Sequence, residues 1–285
     1  MPSPYLNLLA ELGIDFAHPG GLPASLSMLS YLPSGETFSN KATSNGRATD
    51  RFMPRLLEIG CGTGAVTPYL VQKGYEVNCI ERDARMVTRA KQRFSNLKLT
   101  IELLEADIET ITFPDATFHV IWMESVMSFL SDRLLTRILD WLHPQGMVLN
   151  REMMRGDVPL PRTLEQELLV FYGLQKLYTP QEWQMRYSEA GFEEVVIFEE
   201  LPLNAWLDPP QNEVHPAPGE TNATHTLHTE PFSPVSPEEH LLTRPVRTLS
   251  TDMRDALVKH NRLTWAALPY LSTAVIRAYK QKQDL

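Results

Sequence analysis

Two hydrophobic periods take turns along this chain. Near its start Tyr5, Leu6, Leu8, Leu9 and Leu12 recur at helical spacing, and a second short helix is expected from Pro23 to Leu32 after a His18-Pro19-Gly20-Gly21 turn. Pro33 to Asp50, rich in Ser, Thr, Asn and Gly, reads as a flexible connection. From Arg55 onward short apolar runs alternate with amphipathic stretches. Strands are expected at Arg55–Ile59, Val77–Ile80, Leu97–Leu104, Phe118–Met123, Met147–Leu149 and Glu194–Phe198, the third with Leu99, Ile101 and Leu103 on one face. Helices are expected at Ala65–Gln72, Ala84–Phe94 with Asp83 as N-cap, Asp132–Leu142, and from Thr179-Pro180-Gln181-Glu182 to Gly191. Thr251–Ala267 reads as a last helix and Thr273–Tyr279 as a last strand. Repeated strand–helix units with apolar strands imply an α/β fold, a parallel sheet covered by helices on both faces.

Composition narrows the chemistry. Thirty-five acidic residues against 26 basic ones give a net charge of −9, which opposes nucleic-acid binding through phosphate neutralisation. The basic run Arg85, Arg89, Lys91, Arg93 reads as one solvated helix face. Two cysteines, Cys61 and Cys79, provide neither a disulfide framework nor a cysteine zinc cluster. No apolar stretch approaches the ~18 residues that cross a bilayer, and Met1 to Phe16 lacks the basic start of a signal peptide. The expectation is a cytoplasmic protein without a membrane partner. Leu207 to Pro237, crowded with Pro, Asn, Thr and His, cannot bury enough surface to fold alone and reads as an insertion between the last two strands.

The sharpest local signal is Leu57-Glu58-Ile59-Gly60-Cys61-Gly62-Thr63-Gly64, a strand entering a glycine turn before a helix. Such a turn lets a ligand lie against bare backbone, at a helix N-terminus that favours negative charge. Two ligand classes fit. Gly60, Gly62 and Ala65 match a dinucleotide fingerprint. Read instead with Glu58, Gly60, Gly62 and Gly64, the stretch resembles the first motif of class I S-adenosylmethionine-dependent methyltransferases. An acid at Glu58 suits the cationic donor better than a pyrophosphate.

Further residues extend that resemblance over about Arg55 to Phe198: Glu81 at the end of the second strand, Glu105-Ala106-Asp107-Ile108 after the third, Val120 to Ser125, Leu142-His143-Pro144-Gln145-Gly146, and Ala190-Gly191-Phe192. Gln145 departs from the family's usual glycine. The resemblance implies a Rossmann-like seven-stranded sheet, mostly parallel with the last strand antiparallel. It also implies S-adenosyl-L-methionine as cofactor, a small-molecule methyl acceptor, and in-line displacement needing little acid–base help. Glu58, Gly60, Cys61, Gly62, Gly64, Glu81, Asp107 and Ile108 are the cofactor set it implies, with Glu81 on the ribose, Asp107 on the adenine amino group and Ile108 on the ring. Expected boundaries are 1–50 for the N-terminal helices and connection, 51–202 for the cofactor core, 203–248 for an insertion able to form a lid, and 249–285 for the completing helix and strand. Nicotinamide-dependent oxidoreduction and a catalytically silent binding protein are the competing readings.

Catalytic candidates are fewer. Glu124, past the fourth strand, and His18, in the His-Pro-Gly-Gly turn, could each take a proton. Loop stabilisation by Glu124 and a structural or cofactor-gating role for His18 are the alternatives. Glu152, just after the fifth strand, carries the same ambiguity as Glu124, and two acids facing the pocket would favour an amine substrate. Met86 touches adenosine or packs in the core, and Met123, Met127, Phe129 and Leu130 form either a pocket wall or core. His215, His225, His228 and His240 are too irregularly spaced for a metal site, and none is expected.

Overall fold

The computed structural model describes residues 3–35, 53–206 and 249–281. The expected connection Pro33–Asp50, the insertion Leu207–Pro237 and the histidines at 215, 225, 228 and 240 fall wholly or largely outside them.

Chain order begins with α1 (Pro4–Leu12) and α2 (Gly21–Ser30). The core follows as β1 (Arg55–Ile59), α3 (Thr67–Gln72), β2 (Glu76–Glu81), α4 (Ala84–Asn96), β3 (Glu102–Glu105) and β4 (Phe118–Glu124). It continues as α5 (Asp132–Trp141), β5 (Leu142–Arg155), α6 (Arg162–Tyr172), α7 (Pro180–Glu189) and β6 (Glu194–Pro202), and ends with α8 (Thr251–Ala267) and β7 (Leu271–Tyr279). The seven strands form one sheet in the order β3-β2-β1-β4-β5-β7-β6. The first five are parallel, and β7 runs antiparallel to both β5 and β6.

Strand alternation sorts the core into two faces. Leu57, Ile59, Ile121 and Met123 pack on one side with Leu134, Leu135 and Ile138 of α5 and Trp183 and Tyr187 of α7. Leu56, Val120 and Trp122 pack on the other with Met28 and Leu29 of α2, Leu70 of α3 and Ala90 and Phe94 of α4. A third cluster joins Leu168, Phe171 and Tyr172 of α6 to Leu263 and Ala267 of α8, with Tyr5 of α1 against it.

Caps set the helix ends. Ser3 accepts from the Leu6 N–H, Pro4 opens α1, and Gly13 ends it in the left-handed region. Asp83 caps α4, as expected, by accepting from the Arg85 N–H. Thr179 and Glu182 form a reciprocal capping box on α7.

Three expectations need correction. The expected third strand, Leu97–Leu104, pairs only from Glu102, because α4 continues to Asn96 and unwinds through left-handed Lys98. Leu99, Ile101 and Leu103 do pack on one face. Strand β5 reaches Arg155, so Glu152 lies inside it rather than after it. The arginines of α4 are not a solvated face. Arg89 donates to the carbonyls of Ala10 (2.5 Å) and Glu11 (3.0 Å), Arg93 pairs with Asp15 at 2.7 Å, and Arg85 donates to Asn7 at 3.0 Å. Three residues at helical spacing therefore anchor the N-terminal segment, and Arg151 of β5 holds the Ala24 carbonyl of α2 at 3.0 Å. Charge-assisted bonds of this kind contribute about 1.5–3 kcal/mol each.

Candidate active site

The sheet order reverses between β1 and β4, and a ligand crevice is expected outside the carboxyl ends of such strands. A cavity of about 810 Å³ lies there. That is near the upper end of the roughly 300–1,000 Å³ of small-molecule sites, room for two ligands side by side.

The glycine turn forms one wall. Gly60, Gly62 and Gly64 all have positive φ (73°, 57° and 70°), the conformation that favours glycine. Their surroundings differ. A Cβ on Gly60 would meet Val126 at 2.7 Å and one on Gly64 would meet the Phe94 ring at 2.6 Å, so both are fixed by protein packing. A Cβ on Gly62 would meet nothing within 4 Å, because that residue faces the cavity. The turn is tied to the sheet by the N–H groups of Gly60 and Cys61, which share the Ile80 carbonyl at 2.8 and 3.1 Å.

Acidic residues surround the turn. Glu81 ends β2 and accepts from the N–H groups of Gly62 (3.0 Å), Arg82 (2.8 Å) and Asp83 (2.9 Å). Glu58 is 4% exposed and accepts from the Thr67 hydroxyl at 2.6 Å and the Cys79 thiol at 3.4 Å. Burial pushes its carboxyl up to about 7, against the lowering effect of those two bonds. Asp107 and buried Ile108 line the cavity after β3, as do Cys61 and Met86. All eight residues of the expected cofactor set except Gly64 border this one space.

His18 and Glu124 meet. His18 Nε2 lies 3.1 Å from Glu124 Oε2, each side chain 7% exposed. The Ser25 hydroxyl donates to the same carboxylate oxygen at 2.8 Å and lies 3.0 Å from His18 Nε2. The Trp122 indole N–H donates to Glu124 Oε1 at 3.0 Å. His18 Nδ1 sits 3.3 Å from the Pro19 carbonyl. Glu124 thus fixes the turn between α1 and α2 over the sheet edge while both residues border the cavity. Neither Ser25 nor Trp122 carried a sequence signal, since their partners lie far away in the chain or on the same strand. Ser125 follows Glu124 with φ 56°, and its buried hydroxyl has no hydrogen-bond partner among the described residues.

Glu152 is occupied otherwise. One oxygen accepts from the N–H groups of Val126 (3.0 Å) and Met127 (2.8 Å), and the other from the Ser128 hydroxyl (2.6 Å). It caps the short 3-10 turn Met127–Phe129, and burial raises its pKa. Met123 and Met127 belong to the core, and Leu130 of the same core together with Phe129 packed against it also lines the cavity.

A mostly parallel sheet whose switch point opens on a glycine turn backed by acids is the arrangement of an α/β enzyme that binds a nucleoside or nucleotide cofactor. A family model described as a methyltransferase domain matches residues 56–146. The chain is 31% identical over 210 residues to the uncharacterized methyltransferase YodH of Bacillus subtilis, covering 73% of this chain and 82% of that one. It is 28% identical over 147 residues to phosphoethanolamine N-methyltransferase 3 of Arabidopsis thaliana, half of this chain but only 29% of the plant protein. A Haemonchus contortus phosphoethanolamine N-methyltransferase 2, solved with phosphomonomethylethanolamine and S-adenosylhomocysteine, superposes with a TM-score of 0.64 at 17% identity, covering 98% of this chain and 58% of that one. The chain belongs to the class I S-adenosylmethionine-dependent methyltransferases, and S-adenosyl-L-methionine is its cofactor. The nicotinamide reading falls with that assignment. Among the described residues no helix is long and apolar enough to cross a membrane.

Proposed function

We propose that this enzyme methylates a hydroxyl oxygen of a small molecule, with His18 taking the proton. The observation that carries the reading is the His18–Glu124 pair beside a cavity one of whose walls is the open face of Gly62. Bound there, the cofactor supplies an electrophilic methyl group on a cationic sulfur. Gly60, Cys61 and Gly62 provide bare backbone for it, Glu58 a carboxylate for its ammonium end, and Glu81 an acceptor for ribose hydroxyls. Asp107 and Ile108 are suited to the adenine edge and face. The buried Ser125 hydroxyl, without a hydrogen-bond partner among the described residues, and the open space a Cβ on Gly62 would enter both fit such a group.

The residues of this chain then have a simple division of labour. The Pro19 carbonyl can only accept, so it takes Nδ1–H of His18 and leaves the lone pair on Nε2, beside Glu124 and Ser25. Nε2 accepts the proton of the attacking hydroxyl. Glu124 stabilises the imidazolium that results, and Trp122 keeps Glu124 in place. Helices α1 and α2, held by Arg89, Arg93 and Arg151, exclude water from the reaction.

Glu58 makes cofactor affinity depend on pH. Its carboxyl, raised to about 7 by burial, is largely protonated below that pH, and a neighbouring ammonium favours the ionised form, so binding releases a proton. Affinity for S-adenosylhomocysteine is expected to rise with pH up to about 7 by as much as roughly tenfold per unit, then level off. Calorimetry across pH 5.5 to 8.5 measures this, and Glu58→Gln is expected to flatten the profile. A steep profile in that variant would remove Glu58 from the account. The function itself is tested by incubating the enzyme with labelled donor and a fractionated metabolite extract. Label is expected in an ether, methyl ester or other O-methyl product, and label in an N-methyl or C-methyl product would contradict the reading.

A further inference from the structure

Another part of the cavity, where α1, α6 and α8 meet, has walls of Leu168, Leu203, Leu268 and Leu271. One polar corner interrupts them. The Tyr172 hydroxyl lies 3.0 Å from His260 Nδ1 and 3.3 Å from Thr264 Oγ1. The His260 ring stacks on Tyr5, with centroids 5.2 Å apart and planes 29° from parallel. Burial lowers the His260 pKa and raises that of Tyr172. In the tautomer where the Tyr172 hydroxyl donates to Nδ1 of the neutral imidazole, the hydrogen stays on Nε2, a donor on a ring held by the stack. Sequence gave no hint of this, because His260 sits singly on α8 and meets Tyr172 only through the tertiary packing.

Charges around the cavity narrow the acceptor further. Glu124 already holds Ser25, Trp122 and His18, and Glu152 holds three donors of the 3-10 turn. Those three contacts on each leave at most one lone-pair site on either for a substrate ammonium. Among the described lining residues the only lysine or arginine is Arg82, which is exposed, so no cluster of cations awaits a phosphate. The phosphate of an ammonium phosphate of the phosphoethanolamine type has no cationic cluster to meet here. A desolvated charge without a partner costs more than the contacts it gains.

We infer that the acceptor is an uncharged, mostly apolar hydroxylated molecule, and that His260 recognises a second oxygen at its other end. This rests on the donor-binding reading above, so the test separates the two. Full-length enzyme is first titrated with S-adenosylhomocysteine, and absence of binding would defeat the donor site rather than this inference. The saturated enzyme is then titrated with 2-naphthol, 2,6-dihydroxynaphthalene and phosphoethanolamine. Both naphthols are expected to bind and phosphoethanolamine to give no heat. The second hydroxyl is expected to improve affinity about fivefold, the factor of one net hydrogen bond of about 1 kcal/mol. His260→Phe, which keeps the stack on Tyr5, is expected to erase that gain while leaving the affinities for 2-naphthol and S-adenosylhomocysteine within about twofold, and His260→Gln to retain part of it. Binding of phosphoethanolamine, failure of both naphthols up to their solubility, or absence of the fivefold gain in the wild type overturns the inference. So does a gain that survives His260→Phe. The wild-type ranking decides the acceptor class even where His260→Phe does not fold.

Discussion

Replacing Gly62 by valine is expected to weaken S-adenosylhomocysteine binding by more than about 100-fold, or 2.7 kcal/mol or more, while the fold survives. The two effects separate because of where a new side chain would go. Nothing lies within 4 Å of a Cβ at this position, so the protein itself has no clash to relieve. The remaining cost is the left-handed backbone at φ 57°, roughly 1–2 kcal/mol for a residue with a Cβ, equivalent to a few degrees in Tm for a domain of this size. A branched side chain would instead stand in the cavity where we propose that the cofactor lies against backbone. Gly64→Ala provides the contrast. Its Cβ would meet the Phe94 ring at 2.6 Å and the Ala90 methyl at 3.2 Å. Both are buried core, and overpacking there costs about 1–3 kcal/mol before strain is added. Thermal unfolding is expected to fall further in Gly64→Ala than in Gly62→Val, and cofactor affinity further in Gly62→Val. Equal loss of stability in both, with affinity retained in Gly62→Val, would mean that the turn is only a turn.

His18→Ala is expected to lower kcat by about 10²- to 10⁴-fold, the range of a positioned general base. Affinity for S-adenosylhomocysteine is expected to change by no more than a few-fold. Glu124→Gln keeps the size of the carboxylate and one acceptor oxygen, so a smaller loss of kcat is expected. A structural role for His18 predicts otherwise. The segment holding α1 and α2 would loosen, and cofactor affinity would fall together with kcat.

Much of this site could be read from the chain because its chemistry is local. The glycine turn follows its strand directly, and Glu81, Asp107 and Ile108 each sit at a strand end, where topology alone brings them to one edge. His18 and Glu124 were each recognisable as proton acceptors, but their pairing is a tertiary contact between the N-terminal turn and the end of β4. Charge misled twice, for one reason. Arg85, Arg89 and Arg93 look like a solvated stripe until α1 covers them, and Asn150-Arg151-Glu152 look like the end of a strand because buried polar groups do not announce their partners. In fact Asn150 receives no solvent but donates to the Tyr187 hydroxyl at 3.0 Å, Arg151 pairs with Glu199 at 3.2 Å, and β5 continues through all three. Helix α6 went unread for a different reason. Its N-cap is Pro161, with no side-chain cap bond, so nothing at Arg162 marks a start. That helix supplies Leu168 and Tyr172, which explains why the apolar part of the cavity was invisible before the fold was known.

A crystal structure of the enzyme with S-adenosylhomocysteine is the most direct measurement of all. The account predicts the homocysteine backbone against Gly60 to Gly62 with its ammonium toward Glu58, the ribose hydroxyls on Glu81 and the adenine on Ile108, leaving the sulfur open to the space bordered by His18. A nucleoside bound away from the glycine turn, or a sulfur walled off from His18 by the protein, would contradict it.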